Sequence, residues 1–389
     1  MIQKRYIHQI LIFILAVLLS SCVERYWPDL GGAYEDALVV DGIITNNPGP
    51  YTVKLSHSSS VETPKYLPYT ACSVSINCDD GSTEQLIETD PGVYLSSVFG
   101  MQGEIGKKYK IIIYTPNEQT YESPFQELKA PVELADVYYQ EEIQPSEDLN
   151  HNLEGLRFYL DTKPAVQDTN YFLWKMESTY KFESSYLIRY VYDQRHMSVW
   201  PQPDTFYTCW KSEQIPELFT YETAQLSEPV IKHFPLHFVS TEDRELSIRY
   251  SLLVRQFTVT KEVFSYWDSQ REQNDKQGGM YNKQPYQILG NVTNAKHPGE
   301  PVMGYFLVAG VSEKRIFLDR PSLHFYYWTC ELTRADFERV GDLRRTSSSE
   351  WPIYLTTDGS GRVAYPDQIC LDCREKDGEI EAPDFWEDK

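Results

Sequence analysis

Between Ala37 and Thr115 the chain alternates short β-type runs with turn signals, and that rhythm leaves room for little except a sheet built from hairpins. The runs are 37–44 (ALVVDGII), 51–58, 71–78, 83–88, 92–98 and 107–115. Between them stand Asn46-Asn47-Pro48-Gly49, Asp79-Asp80-Gly81-Ser82, Asp90-Pro91-Gly92 and the stretch Gly103 to Gly106. These residues supply positive φ, a preset φ, or side-chain bonds to the backbone, which is what tight turns need. No helical period interrupts the series. The pattern predicts an immunoglobulin-like or transthyretin-like β-sandwich over residues 37–123. The Asp-Asp-Gly turn reads as a hairpin rather than a calcium loop.

Residues 124–134 (PFQELKAPVEL), with two prolines, read as a linker. A larger β-rich domain is expected over 135–389, with strands at 156–162, 170–178, 185–193, 204–210 and 246–260. Tyr186, Ile188, Tyr190 and Tyr192 alternate as one face of a half-buried strand should. One helix is expected at about 260–274, capped by Thr260 with Glu262 in the first turn. Val263, Phe264 and Trp267 give it an apolar face that packs on the second domain. Further on, 285–294 and 302–312 read as two strands joined by a loop.

The first residues are different in kind. Lys4 and Arg5 precede a ten-residue apolar run, Ile10 to Leu19, too short to span a bilayer, which needs ~20 residues. Leu19-Ser20-Ser21-Cys22 resembles the bacterial lipobox. There the small residues admit the peptidase and the thiol takes the lipid, so 1–21 reads as a signal peptide, Cys22 as the lipidation site and 22–36 as a tether. Several acyl chains, at ~0.8 kcal/mol per buried CH₂, make such attachment effectively permanent. The body is acidic, with net charge −21, and loss of Lys4 and Arg5 makes it more so. That excludes nucleic-acid binding and argues against the body lying on anionic lipid. The 29 tyrosines suit a sheet.

Six cysteines remain, in a chain expected in an oxidising space. Cys72 and Cys78 lie on one extended run ~20 Å apart and cannot pair. Cys370-x-x-Cys373 lacks the second ligand pair of a zinc site and the βαβ setting of a redox motif. A structural role is favoured: the two pair with each other, or they pin the C-terminal tail through Cys209 and Cys330. No phosphate loop, dinucleotide fingerprint, nucleophile elbow or zincin motif occurs. His233 and His237 flank Pro235 and stand ~13 Å apart in a strand, too far to share a metal. The pairs Glu141-Glu142 and Glu147-Asp148 read as ordinary surface acids. Trp200, Phe206, Tyr207 and Trp210 read as sheet core before a sugar platform. No catalytic residue, metal or cofactor is expected.

Several features also occur together in order. They are the lipobox, a first strand LVVDGIIT, the helix with Tyr266-Trp267, the segment Gly290-Asn291-Val292-Thr293-Asn294 followed by Gly304-Tyr305-Phe306, and Cys370-Leu371-Asp372-Cys373 before Pro383-Asp384-Phe385-Trp386. This set resembles the Bacteroidota outer-membrane lipoprotein family known as domain of unknown function 4249. The resemblance implies a non-catalytic accessory lipoprotein of a TonB-dependent outer-membrane transporter, lipid-anchored and facing the cell surface or the periplasm. A free-standing surface adhesin or glycan-binding module is the alternative.

Overall fold

The computed structural model describes residues 37–59, 65–146, 152–165, 170–275 and 288–388. The lipobox, Cys22 and the tether lie outside these residues, as does the Glu147-Asp148 pair. The chain is mostly β, in several sheets, with a sandwich-like arrangement. Its first strands fall where the turn chemistry places them, at Leu38–Thr45, Thr52–His57, Ser73–Cys78, Thr83–Asp90, Val93–Leu95 and Lys108–Tyr114. The Asp79–Ser82 turn is a hairpin: Gly81 has φ +91°, and Asp80 Oδ1 accepts from the Ser82 backbone N–H at 2.8 Å. The inward set (Val40, Ile44, Val53, Leu55, Val74, Ile76, Ile111, Ile113) is fully buried, alternating along each strand as a period of two requires.

That core is not closed by its own segment. The strand Met303–Asp319 pairs in parallel with Leu38–Thr45 over Val39↔Met303 to Thr45↔Ala309, then antiparallel with Arg249–Val259 over Thr258↔Gly310 to Arg249↔Asp319. Phe306 and Val308 enter the N-terminal core, together with Val292 and Val302. The expected boundary at residue 135 therefore does not separate the cores. The segment 124–134 also does more than link: Gln126–Glu127 pairs with Lys108–Tyr114, and Leu128 is fully buried. Asn291 explains part of the Gly290–Phe306 pattern. Its side-chain oxygen accepts from Phe306 N at 2.9 Å and its amide donates to Phe306 O at 2.9 Å. At Gly304, φ is +78° and an added Cβ would lie 2.0 Å from the Val40 carbonyl oxygen, so only glycine fits this crossing.

The second half is another sandwich. A sheet of Thr208–Glu222, Tyr171–Glu183, Arg249–Val259 and the end of Met303–Asp319 faces a three-stranded sheet of Leu134–Gln144, Leu153–Thr162 and Phe234–Ser240. Phe158, Leu160, Leu236, Trp174, Met176 and Leu252 fill the space between them. The strand ending at 210 by sequence runs on to Glu222 because its polar side chains lie on an outer face. Pro216, which has no N–H to donate, coincides with a register shift against Trp174/Met176. The helix spans Lys261–Asp275 and buries Val263 against Leu173, Phe257, Tyr305 and Leu307, which places it over the line where the halves meet. The expected 185–193 strand narrows to Tyr190–Asp193, in a small four-stranded sheet with His196–Val199, Ile353–Thr357 and Val363–Ala364.

Because Phe306 is fully buried and fastened at both backbone groups, Phe306→Ala is expected to cost ~3–5 kcal/mol. Urea unfolding followed by circular dichroism measures it. A loss below ~1 kcal/mol would mean that the strand does not close the N-terminal core.

Candidate functional site

The four later cysteines form two bonds, Cys209–Cys373 and Cys330–Cys370. Cys370 and Cys373 thus do not pair with each other; each reaches back to the body, across sequence separations of 164 and 40 residues. All four are buried. Crosslinks over loops of this size contribute roughly 2–5 kcal/mol. Around them the tail adds side-chain contacts. Arg374 lies 3.6 Å from the Phe206 ring centroid, Arg315 lies 3.4 Å from that of Phe385, and Trp386 meets Trp210 edge-on at 6.3 Å. The aromatic group at 200–210 is therefore packing: Phe206 is buried, and Trp200 leans on Phe206 and Tyr354. Cys72 and Cys78 are free.

The two histidines are each engaged separately. His233 stacks on Tyr159 at 4.0 Å, with Nδ1 2.9 Å from the Tyr138 hydroxyl, while His237 Nδ1 lies 2.8 Å from Glu217 Oε2. Glu142 is taken by Arg157 at 3.1 Å. No group of three or more potential metal-ligating side chains occurs among the described residues.

Two clefts stand out, one beside the Lys261–Asp275 helix and one at the seam between the halves. The larger, about 690 Å³, lies between the helix and the Thr208–Glu222 strand, with Phe219, Tyr221 and Phe234 on its walls. Its arginines are neutralised within the chain: Arg157 by Glu142, and Arg271 by Asp268 and Asp275. The second, about 470 Å³, opens at the seam between the halves. Its floor is a cross-strand row, Lys175↔Arg255↔Glu313, and its far wall carries Asp41, Lys54, Pro48, Pro50 and Tyr51. The Arg255 guanidinium is shared by Glu313 at 3.2 Å and Glu177 at 3.4 Å. Lys175 differs from it. Its ammonium lies 4.6 Å from the centroid of Trp267, and among the described residues no carboxylate reaches it within ion-pair distance. Burial pushes its pKa down, Asp41 pushes back up, and Arg255 lowers it further. Sequence reading passed over this lysine. The available signal was a lone cation within the apolar run Tyr171-Phe172-Leu173-Trp174-Lys175-Met176.

A second feature missed by sequence is the loop after Val93–Leu95. The Glu84 carboxylate accepts from Ser97 N at 2.9 Å and from Met101 N at 3.2 Å, and the Ser97 hydroxyl caps Phe99 N at 3.3 Å. The Tyr51 hydroxyl accepts from Gly103 N at 2.9 Å and lies 2.7 Å from Thr45 O, tying the loop to the end of the first strand. On this brace Phe99 is 98% exposed and Val98 61%.

The Glu245 carboxyl is raised to about 7, chiefly by burial. His237 and Lys211 oppose that shift, and Asp243 and Glu213 add to it. Its Oε2 has no hydrogen-bond partner among the described residues. An acid whose pKa rises on folding holds its proton more tightly in the native state. Stability therefore falls as pH climbs from about 4.5 to about 7. Glu245→Gln is expected to flatten that fall and to melt higher than the parent at pH 8. Melting temperatures across pH 4–8 test it, and parallel profiles for the two proteins would count against it.

The family described as domain of unknown function (DUF4249) matches residues 23–315, covering both sandwiches and ending inside the Met303–Asp319 strand. No curated protein matches the chain.

Proposed function

The chain belongs to the domain of unknown function 4249 family, and we propose that it is a lipid-anchored accessory protein of a TonB-dependent outer-membrane transporter, helping to capture or admit that transporter's substrate without catalysis. Cys22 carries the anchor in this reading, and residues 22–36 the tether. The observation that supports it best is the braced Phe99 loop. The loop lies at the Thr45 end of the Leu38–Thr45 strand, where Gly103 and Gln102 contact Thr45 and Asn46, while the described chain begins at Ala37, at the other end. Eight residues of strand span about 25 Å. In this reading the exposed aromatic is the part offered to the neighbouring transporter. A rigid, exposed aromatic is what a partner's apolar pocket takes up at low entropic cost. Confinement to one membrane raises the effective concentration of the two proteins.

A free-standing glycan-binding module is the second reading. In its favour is the run around 324–328, in which His324 meets Tyr326 edge-on at 4.6 Å and Trp328 is 67% exposed.

Recovery of the native protein from detergent-solubilised outer membrane separates the two. The transporter reading expects a β-barrel partner to co-purify, with yield reduced at least tenfold by Phe99→Asp while the melting temperature stays unchanged. Recovery of no β-barrel protein, together with sequence-specific glycan binding by the isolated chain, would replace it with the second reading.

A further inference from the structure

The seam cleft holds a cation that the fold leaves without a counter-charge. In a chain of 57 acidic and 36 basic residues, carboxylates are in excess, and most buried or half-buried cations have one. Arg157, Arg249, Arg255 and Arg315 all do. Lys175 does not, although its ammonium is half-buried at the bottom of a cleft that both halves build. Around it stand the Trp267 ring, the cations Lys54 and Arg255, and two carboxylates, Asp41 opposite Lys54 across the strands and Glu313 bound to Arg255, so the titratable lining of the cleft carries one positive charge in excess.

We infer that this cleft binds the carboxylate end of a small amphipathic molecule. Lys175 takes the carboxylate, Lys54 flanks it, and the apolar body rests among Ile43, Phe257, Pro48 and Pro50. The charge arithmetic favours a monoanion. A phosphate is best held by a planar guanidinium fork, and the only one in the cleft, Arg255, is already occupied by Glu177 and Glu313. What remains is a point charge with rotatable donors, in surroundings dry enough to strengthen a single ion pair. An arriving carboxylate also removes the strain on Lys175, whose charge is opposed by burial when the cleft is empty. The cavity, about 470 Å³, matches a ligand of modest size rather than a polymer. The carboxylate has two chemical sources, a free organic acid or the C-terminus of a short peptide. This inference concerns the isolated chain and does not depend on a transporter partner.

Calorimetric titration of the purified protein tests it, with four probes: 3-phenylpropionate, 3-phenylpropionamide, the dipeptide Gly-Phe and its C-terminal amide. Inorganic phosphate is a fifth. The expected result is saturable binding of at least one acid, at least tenfold weaker binding of its amide, and no heat with phosphate. Binding of 3-phenylpropionate alone assigns a free acid; preference for Gly-Phe over its amide assigns a peptide end. Lys175→Met keeps the stem against Trp267 and should weaken acid binding tenfold or more. Lys54→Gln should weaken it less and serves as the second variant. The inference is overturned if acid and amide bind equally, if phosphate is preferred, if folded Lys175→Met binds like the parent, or if neither acid binds.

Discussion

Everything in this molecule depends on one strand having two partners along its length. The first half of Met303–Asp319 lies parallel to Leu38–Thr45, and its second half lies antiparallel to Arg249–Val259. Alternate residues of the first half also serve different layers. Phe306 and Val308 fill the N-terminal core, while Tyr305, Leu307, Ala309 and Val311 face the helix. A period of two makes that division automatic, and it leaves no polar position in the stretch. The helix, the seam cleft and the continuity of the long sheet all follow from this crossing.

Legibility in the sequence tracks local chemistry. The N-terminal strands were readable because each is bounded by residues that can only turn. The helix was readable from Val263, Phe264 and Trp267 beneath a threonine cap. Thr208–Glu222 was cut short because Lys211, Glu213 and Glu217 resemble loop, although a strand with one outward face tolerates them. Leu134–Gln144 was lost for the same reason, with Glu141 and Glu142 exposed. The four disulfide cysteines were readable as a set, with bonds from the tail to Cys209 and Cys330 as one of two alternatives, but which cysteine meets which was not. Cys209 and Cys373 meet through the fold, 5.8 Å apart at Cα, and no spacing rule encodes that. Of the two features argued to touch ligands or partners, Lys175 left a faint trace as a lone charge in an apolar run. The Phe99 loop left none, since its bracing carboxylate, Glu84, is thirteen residues away from Ser97.

The C-terminal region is held differently from the rest. Its small sheet buries two modest clusters, one around Ile188 and Tyr354 and one around Tyr192 and Leu355. A core of this size is marginal alone. Crosslinks and cation–ring contacts supply what apolar burial does not, and they also lay the tail across the outer side of the large sheet. Trp386 touches Trp210 and Phe317 there, and Lys181 pairs with Asp388 at 3.0 Å.

The shared strand also dictates an order of events. A chain made from its N-terminus exposes the hairpins of residues 37–123 long before Phe306 and Val308 arrive to cover them. The N-terminal core is completed only once the Met303–Asp319 strand is present, a long-range pairing of the kind that slows folding. The N-terminal half in isolation thus presents an open apolar flank suited to aggregation or to capture by a chaperone.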